Sequence, residues 1–266
     1  MKNLGDYISN WLKNYAVERN IKGFVLGVSG GIDSAVSSTL CAKTGLKTIV
    51  LTMPIYQKSA EVGRAEKHID FLKKNFANVS SADIDLTNSF DELKNSLQPH
   101  LEVADEERQF LTLANTRSRL RMATLYAISG VNRLLVCGTG NKVEDFGVGF
   151  YTKYGDGGVD ISAIADLMKS EVYALGKELG VIEEILTARP TDGLWDDGRT
   201  DEDQIGATYD ELEWAMTWLE KNDPNEENLS ILNSQEQKVM KIYLRFHRAN
   251  KHKMEEIPVC QIPRGD

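Results

Sequence analysis

The chain has 266 residues, 41% hydrophobic and 27% charged, which is enough apolar content to bury a sizeable core and too much for a disordered chain. Forty acidic against 31 basic side chains leave a formal net charge of −9. That excludes a general nucleic-acid binder, which needs a cationic face to displace phosphate counterions, but it leaves room for an anionic small ligand held by a few placed cations.

Leu4, Tyr7, Ile8, Trp11, Leu12 and Tyr15 recur at three- and four-residue spacing and predict an amphipathic helix over 4–17. Phe24-Val25-Leu26-Gly27-Val28 is a short apolar run closing in glycine, the mark of a buried strand; a helix over 34–43 follows, ending at Gly45. A second strand spans 47–53 and stops at Pro54, then come a helix near 59–76, a strand near 83–86 and helices near 89–97 and 108–128. Residues 134–137 form the next strand candidate. Short apolar strands alternating with helices predict an α/β, Rossmann-like fold: a parallel sheet with helices on both faces. Gly138 to Gly158 is too glycine-rich for regular structure throughout, and a loop that long inside a domain is usually functional. A helix over 170–179 closes at Gly180. Asp192, Asp196, Asp197, Asp201, Glu202 and Asp203, against Arg199 alone, read as a mobile, solvated loop. Two further amphipathic helices, near 210–220 and 235–248, finish what is expected to be one domain over 1–266.

No apolar run approaches the roughly 18 residues of a membrane span, and Met1-Lys2-Asn3-Leu4-Gly5-Asp6 lacks the apolar stretch of a signal peptide. Cys41, Cys137 and Cys260 are widely spaced and form no metal-ligand cluster. A reduced cytoplasm, without membrane or nucleic-acid partners, is the expected setting.

The strongest motif is Ser29-Gly30-Gly31-Ile32-Asp33-Ser34, where the first strand should end and the next helix begin. Paired glycines let the backbone approach a ligand closely, and the helix start offers unpaired N–H groups to an anion. Asp33 suits phosphate only if a cation such as Mg²⁺ lies between. The same residues would also serve as a tight turn with an Asp or Ser cap. The string lacks the Gly-Lys-Ser/Thr ending of a Walker loop, which disfavours ordinary γ-phosphoryl transfer.

The string resembles the pyrophosphate loop of the N-type ATP pyrophosphatases, which cleave ATP between the α and β phosphates. Three further stretches resemble the ammonia-dependent NAD synthetases within that superfamily. They are Asn115-Thr116-Arg117-Ser118-Arg119-Leu120-Arg121-Met122; Gly138-Thr139-Gly140-Asn141-Lys142-Val143-Glu144 with the later Thr152-Lys153-Tyr154-Gly155-Asp156-Gly157-Gly158-Val159-Asp160; and His252-Lys253. The resemblance implies an adenine nucleotide alpha-hydrolase-like sheet with extra terminal helices, and a homodimer. It implies an ATP site from Gly27, Val28, Ser29, Gly30, Gly31, Ile32, Asp33 and Ser34 with Thr139, Lys169 and Thr191. It places Mg²⁺ on Asp33 and Glu144, and deamido-NAD on Arg119, Lys153, Asp160, His252 and Lys253. The implied reaction joins ammonia to deamido-NAD through an acyl adenylate, giving NAD, AMP and pyrophosphate. Lys169 would screen charge on the departing pyrophosphate, and Asp156 is the candidate to bind ammonium and accept its proton.

Blander readings stand beside these. Arg117, Arg119 and Arg121 alternate along a helix and cannot share one face; Glu144 and Asp145 could cap a helix; His252 sits in a basic tail. His68, His100 and His247 show no catalytic spacing, and Trp195, Trp214 and Trp218 read as packing. The sequence departs from the family pattern at Asp192, where Ala is common, and at Asn141-Lys142, where some members have Asp-His. Residue 2 is Lys, and no cysteine sits in a G-x-C-x-G elbow, so free ammonia, or ammonia from a separate protein, is the expected donor. The alternatives are another adenylating amidotransferase of the superfamily, or a non-catalytic adenine-nucleotide-binding protein.

Overall fold

The computed structural model describes residues 3–57, 59–191 and 200–264. Its strands β1 (Gly23–Gly27), β2 (Lys47–Thr52), β3 (Val79–Asp83), β4 (Leu135–Gly138) and β5 (Ile161–Ser162) form one sheet in the order β3-β2-β1-β4-β5. Every pair is parallel. β1 is central, and Phe24, Val25 and Leu26 are all fully buried because helices cover both faces. Phe24 and Leu26 face a core with Leu12, Leu40 and Val172, whereas Val25 faces Phe90, Met122 and Leu125. This alternation makes the apolar run of β1 continuous in sequence and two-sided in space.

The helices are α1 (Leu4–Glu18), α2 (Ile32–Lys43), α3 (Ser59–Asn75), α4 (Thr87–Leu101), α5 (Glu106–Asn132), α6 (Lys169–Glu178), α7 (Glu183–Leu186), α8 (Asp201–Ile205), α9 (Tyr209–Leu219), α10 (Glu226–Ser230) and α11 (Ser234–Met254). α1 buries Ile8, Leu12 and Ala16 and leaves Tyr7 and Trp11 exposed, so its predicted apolar stripe is only half used within the chain. α2 is buried almost all round. Small hydroxyl residues make this possible: Ser38 and Thr39 each donate back to the Ala35 carbonyl, at 3.1 and 2.7 Å. A second hydrophobic cluster joins Val143 and Val148 to Leu212, Met240 and Tyr243, with Trp214 and Trp218 packed against it as predicted.

Three sequence expectations need correction. The third strand lies at Val79–Asp83, ahead of the predicted 83–86, because it is an edge strand whose Ser80, Asp83 and neighbours stay largely outside the core. The glycine-rich stretch is not all loop: Val143–Val148 form a π-helical turn. Of the acidic stretch, Asp201, Glu202 and Asp203 form the first turn of α8, where the helix dipole favours carboxylates, and Asp201 is buried. Asp192, Trp195, Asp196, Asp197 and Arg199 lie outside the described residues. Of the histidines read as structural, His68 is buried against Ser38, His100 is exposed, and His247 meets the Gly147 carbonyl at 2.7 Å.

Candidate active site

In this strand order the chain winds from β1 to β3 in one direction, then returns to place β4 and β5 on the other side of β1. Ligands in such sheets bind beyond the strand C-termini at that reversal. Here a cleft of about 700 Å³ opens at the ends of β1, β2 and β4. Residues 27–34, Thr139, Lys169 and Thr191, the predicted nucleotide site, all line it.

The loop after β1 is shaped from within. Ser29 N–H donates to Ser34 Oγ at 3.2 Å, and Ser34 Oγ–H donates to the Gly31 carbonyl at 3.0 Å. Gly31 N–H reaches Ser29 Oγ at 3.3 Å. Both serine hydroxyls are therefore engaged in setting the loop's curvature. Gly30 has φ of +84°, and a Cβ there would come within 2.6 Å of the Glu61 carbonyl of α3, so only glycine fits. Arg64 of α3 donates to the Gly30 carbonyl at 3.2 Å. The start of α2, with the positive end of its dipole, borders the cleft.

Beside this loop lies a compact charged centre. Lys169, the first residue of α6, places Nζ 2.6 Å from Asp33 Oδ2 and 2.9 Å from Glu144 Oε1, with its side chain 3% exposed. Asn141 Nδ2 donates to Asp33 Oδ1 at 3.1 Å, and its Oδ1 accepts the N–H groups of Val143 and Glu144. One amide thus orients both acids. Tyr209 OH donates to Glu144 Oε1 at 2.6 Å. Burial opposes the ammonium of Lys169, but Asp33 and Glu144 outweigh it and raise the pKa. Burial also opposes ionisation of Glu144, but Lys169 and the Tyr209 hydroxyl outweigh it and lower that pKa, whereas burial raises that of Asp33 despite Lys169. Two hard oxygen donors converging on one point suit a divalent cation that takes further oxygens from phosphate and water. Among the described residues, no cluster of three or more potential His, Cys, Asp or Glu ligands occurs.

Asp145 and Asp156 line the same cleft. A Cβ on Gly140 would overlap the Asp145 carboxylate, so that glycine makes room for it. Burial, with Glu144, Asp156 and Asp33 adding, pushes the Asp145 carboxyl up to about 8. Asp156 stands at the cleft rim, where Ser118 Oγ donates to its Oδ1 at 2.6 Å and Thr152 N–H at 3.1 Å. Desolvation by the surrounding walls raises its pKa, with those two bonds opposing. The glycine-rich segment read as a long functional loop is thus tied to α5 at Asp156, and again where Thr152 Oγ1 meets Asn115 at 2.6 Å.

A second pocket adjoins the first and shares Met122, Tyr151, Val159 and Lys253 with it. Three predicted dinucleotide ligands meet here. Arg119 donates to the Lys153 carbonyl at 3.2 Å, Lys153 Nζ to the His252 carbonyl at 2.6 Å, and Lys253 Nζ to the Gly149 and Tyr151 carbonyls at 2.8 Å each. Burial lowers the pKa of Lys253. His252 reaches the cluster through its main chain; its imidazole is exposed and turned to the Ala249 carbonyl at 3.2 Å. Asp160 has both oxygens engaged at the β4–β5 junction, by Tyr126 OH at 2.9 Å and Val136 N–H at 2.8 Å.

The three arginines diverge as the helical period requires. Arg117 is buried between the Phe90 and Phe110 rings, Arg119 faces the second pocket, and Arg121 enters the main cleft. Arg121 donates to the Met53 carbonyl at 2.9 Å and to Gln57 at 2.8 Å, and burial pushes its pKa down to about 10. Sequence reasoning missed Arg64 as a cleft-lining group, and Asn141 and Tyr209 as hydrogen-bond partners of the two acids. Arg121 stood in the Asn115–Met122 motif without being assigned to the site, and Asn141 stood out only as a departure from the family pattern; Arg64 and Tyr209 lie in ordinary helix faces and starts.

The NAD synthase family profile matches residues 4–257. An NH(3)-dependent NAD(+) synthetase of Mycoplasma genitalium is 36% identical over 257 residues, covering 95% of this chain and 94% of that protein. The NMN synthetase structure from Francisella tularensis superposes with a TM-score of 0.82 at 31% identity, over 97% of both chains. The NH3-dependent NAD synthetase from Campylobacter jejuni gives a TM-score of 0.74 at 26% identity, again over 97% of both. With a phosphate-type loop, a paired-carboxylate centre and a basic second pocket in one cleft, and with matches along nearly its whole length, the chain belongs to the NAD synthase family.

Proposed function

We propose that the main cleft holds ATP and the adjoining pocket holds deamido-NAD, so that the two substrates meet at their shared wall. The reaction is the ATP-dependent amidation of deamido-NAD to NAD with ammonia, releasing AMP and pyrophosphate. The observation that carries the site assignment is the convergence of Asp33, Glu144 and Lys169 beside the Gly30–Gly31 loop, although Asp33 and Lys169 are 136 residues apart.

The nicotinate carboxylate is already ionised, so its attack on the α-phosphorus needs no base; an acyl adenylate forms and pyrophosphate leaves. Lys169, the start of α2 and Arg121 face the charge that shifts onto the pyrophosphate. Asp33 and Glu144 would hold Mg²⁺, which neutralises triphosphate charge when bound. Arg119, Lys153 and Lys253 offer cations to the dinucleotide's pyrophosphate. In the second half-reaction ammonium must lose a proton before its nitrogen can attack. Asp156, held by Ser118 with a raised pKa, accepts that proton; ammonia then displaces AMP from the carbonyl. Asp156→Asn is expected to leave pyrophosphate release intact while lowering amide formation about 100-fold. Unchanged turnover with labelled ammonia would remove Asp156 from this role.

The likeness to the Francisella NMN synthetase favours a second reading of the dinucleotide pocket, in which nicotinate mononucleotide is also amidated. Both substrates present the same carboxylate and differ by an AMP half. Pyrophosphate release from ATP, measured with each acceptor in turn, separates the readings by the ratio of kcat/KM. We further propose that the chain is one domain, acts in the cytoplasm, and pairs as a homodimer through α1 and α5, where Tyr7, Trp11, Tyr126 and Val131 are exposed. Light scattering of the purified protein tests the pairing. Among the described residues no helix is long and apolar enough to cross a membrane.

A further inference from the structure

Tyr209 begins α9 and is only 5% exposed. Its hydroxyl donates to Glu144 Oε1 at 2.6 Å, the same oxygen that receives Lys169 Nζ at 2.9 Å. The Lys169 ammonium also stands 4.6 Å from the centre of the Tyr209 ring. One side chain therefore touches the anion through its hydroxyl and the cation through its π face. A phenol has one proton to give, and the Glu144 contact takes it, being shorter than the 3.3 Å approach to Asp201.

The ring itself is fixed. Tyr209 N–H donates to Glu202 at 2.9 Å, Thr208 caps α9 reciprocally with Glu211, and the ring packs in the cluster that includes Val143 and Leu212. Glu144 has several rotatable bonds and, in its centre, a monovalent ammonium as charge partner. A divalent cation held by Asp33 and Glu144 would repel the Lys169 ammonium that bridges them here. Were Lys169 to turn to phosphate, Glu144 would keep the Tyr209 hydroxyl as its strong donor.

We propose that Tyr209 is a positioning residue for the cation site: its hydroxyl holds Glu144 in place while Lys169 exchanges carboxylate for phosphate. This rests on the assignment of Asp33 and Glu144 to Mg²⁺. Tyr209→Phe removes the hydroxyl and leaves the ring in its cluster. Mn²⁺ binding in the presence of ATP and the absence of acceptor, followed by electron paramagnetic resonance, reads the site without turnover. Tyr209→Phe is expected to weaken Mn²⁺ binding about 5- to 10-fold and raise the Mg²⁺ concentration for half-maximal rate by a like factor, since a hydrogen bond to a charged group is lost. The KM for deamido-NAD should stay within about twofold, because the basic pocket is untouched. Glu144→Gln alone reports on the underlying assignment: wild-type Mn²⁺ affinity in that variant overturns both readings. If Glu144→Gln weakens Mn²⁺ and Tyr209→Phe does not, the role of Tyr209 alone is overturned. A Tyr209→Phe effect that persists undiminished on the Glu144→Gln background overturns it equally, since the hydroxyl acts through Glu144.

Discussion

Lys169 shows how an environment decides what a side chain can do. A lysine buried alone would shed its proton, but Asp33 and Glu144 at 2.6 and 2.9 Å hold the charge on. The ammonium is therefore held charged, which suits a permanent cation and not a proton carrier. Lys169→Gln is expected to slow pyrophosphate release about 100- to 1,000-fold while leaving deamido-NAD affinity near wild type, as measured by single-turnover kinetics and ligand titration. Its identity as a site residue rested on resemblance alone, because a single Lys after Met168 carries no local signature. Arg119 and Lys153 are expected on the same ground, and the two line one pocket. His252 is expected there too, yet in the structure it is its carbonyl that meets Lys153, a distinction no side-chain motif can express.

Elements with a strong period read well from the chain. α1, α3, α9 and α11 begin and end close to their predicted limits, apart from the longer C-terminal end of α11, because each lays one apolar face on a core. The starts of α8, α9 and α11 carry reciprocal caps, Thr200 with Asp203, Thr208 with Glu211 and Asn233 with Glu236. Thr208→Ala should cost about 1 kcal/mol in urea unfolding and, by loosening the start of α9, should alter metal dependence less than Tyr209→Phe does. What escaped prediction were elements that bury little or are very short. β3 has a polar edge-strand pattern, β5 is two residues long, and the π-helical turn sits among glycines that read as irregular. In β3 and β5 burial, the source of the pattern, is too small to mark the sequence; the π-helical turn buries Val143 and Val148 but is too short to show a period.

The packing of α2 against α3 ties stability to pH across the whole molecule. His68 is fully buried, its Nε2 is 3.0 Å from Ser38 Oγ, and burial pushes its pKa from 6.5 down to about 4. The folded chain refuses a proton that the unfolded chain accepts below about pH 6.5, so stability is lost as pH falls from there toward about 4. The loss reaches at most about 3 kcal/mol. Urea unfolding at several pH values should show this acid-side slope in the wild type and a flatter one in His68→Gln. The exposed Tyr7, Trp11, Tyr126 and Val131 concern the same level of organisation, since apolar surface on α1 and α5 is left for the proposed homodimer.

Local chemistry made the phosphate-type turn and the individual strands and helices readable without coordinates, since each depends on residues adjacent or one helical turn apart, and the acidic balance needs only a count. The charged centre did not have that property. Asp33, Asn141 with Glu144, Lys169 and Tyr209 come from four places in the chain and meet only because the strand order reverses between β1 and β4 and α9 folds back over the π-helical turn. Their charge states depend on one another through distances of a few ångströms, and Coulomb coupling at that range is a property of the folded arrangement and of no single segment.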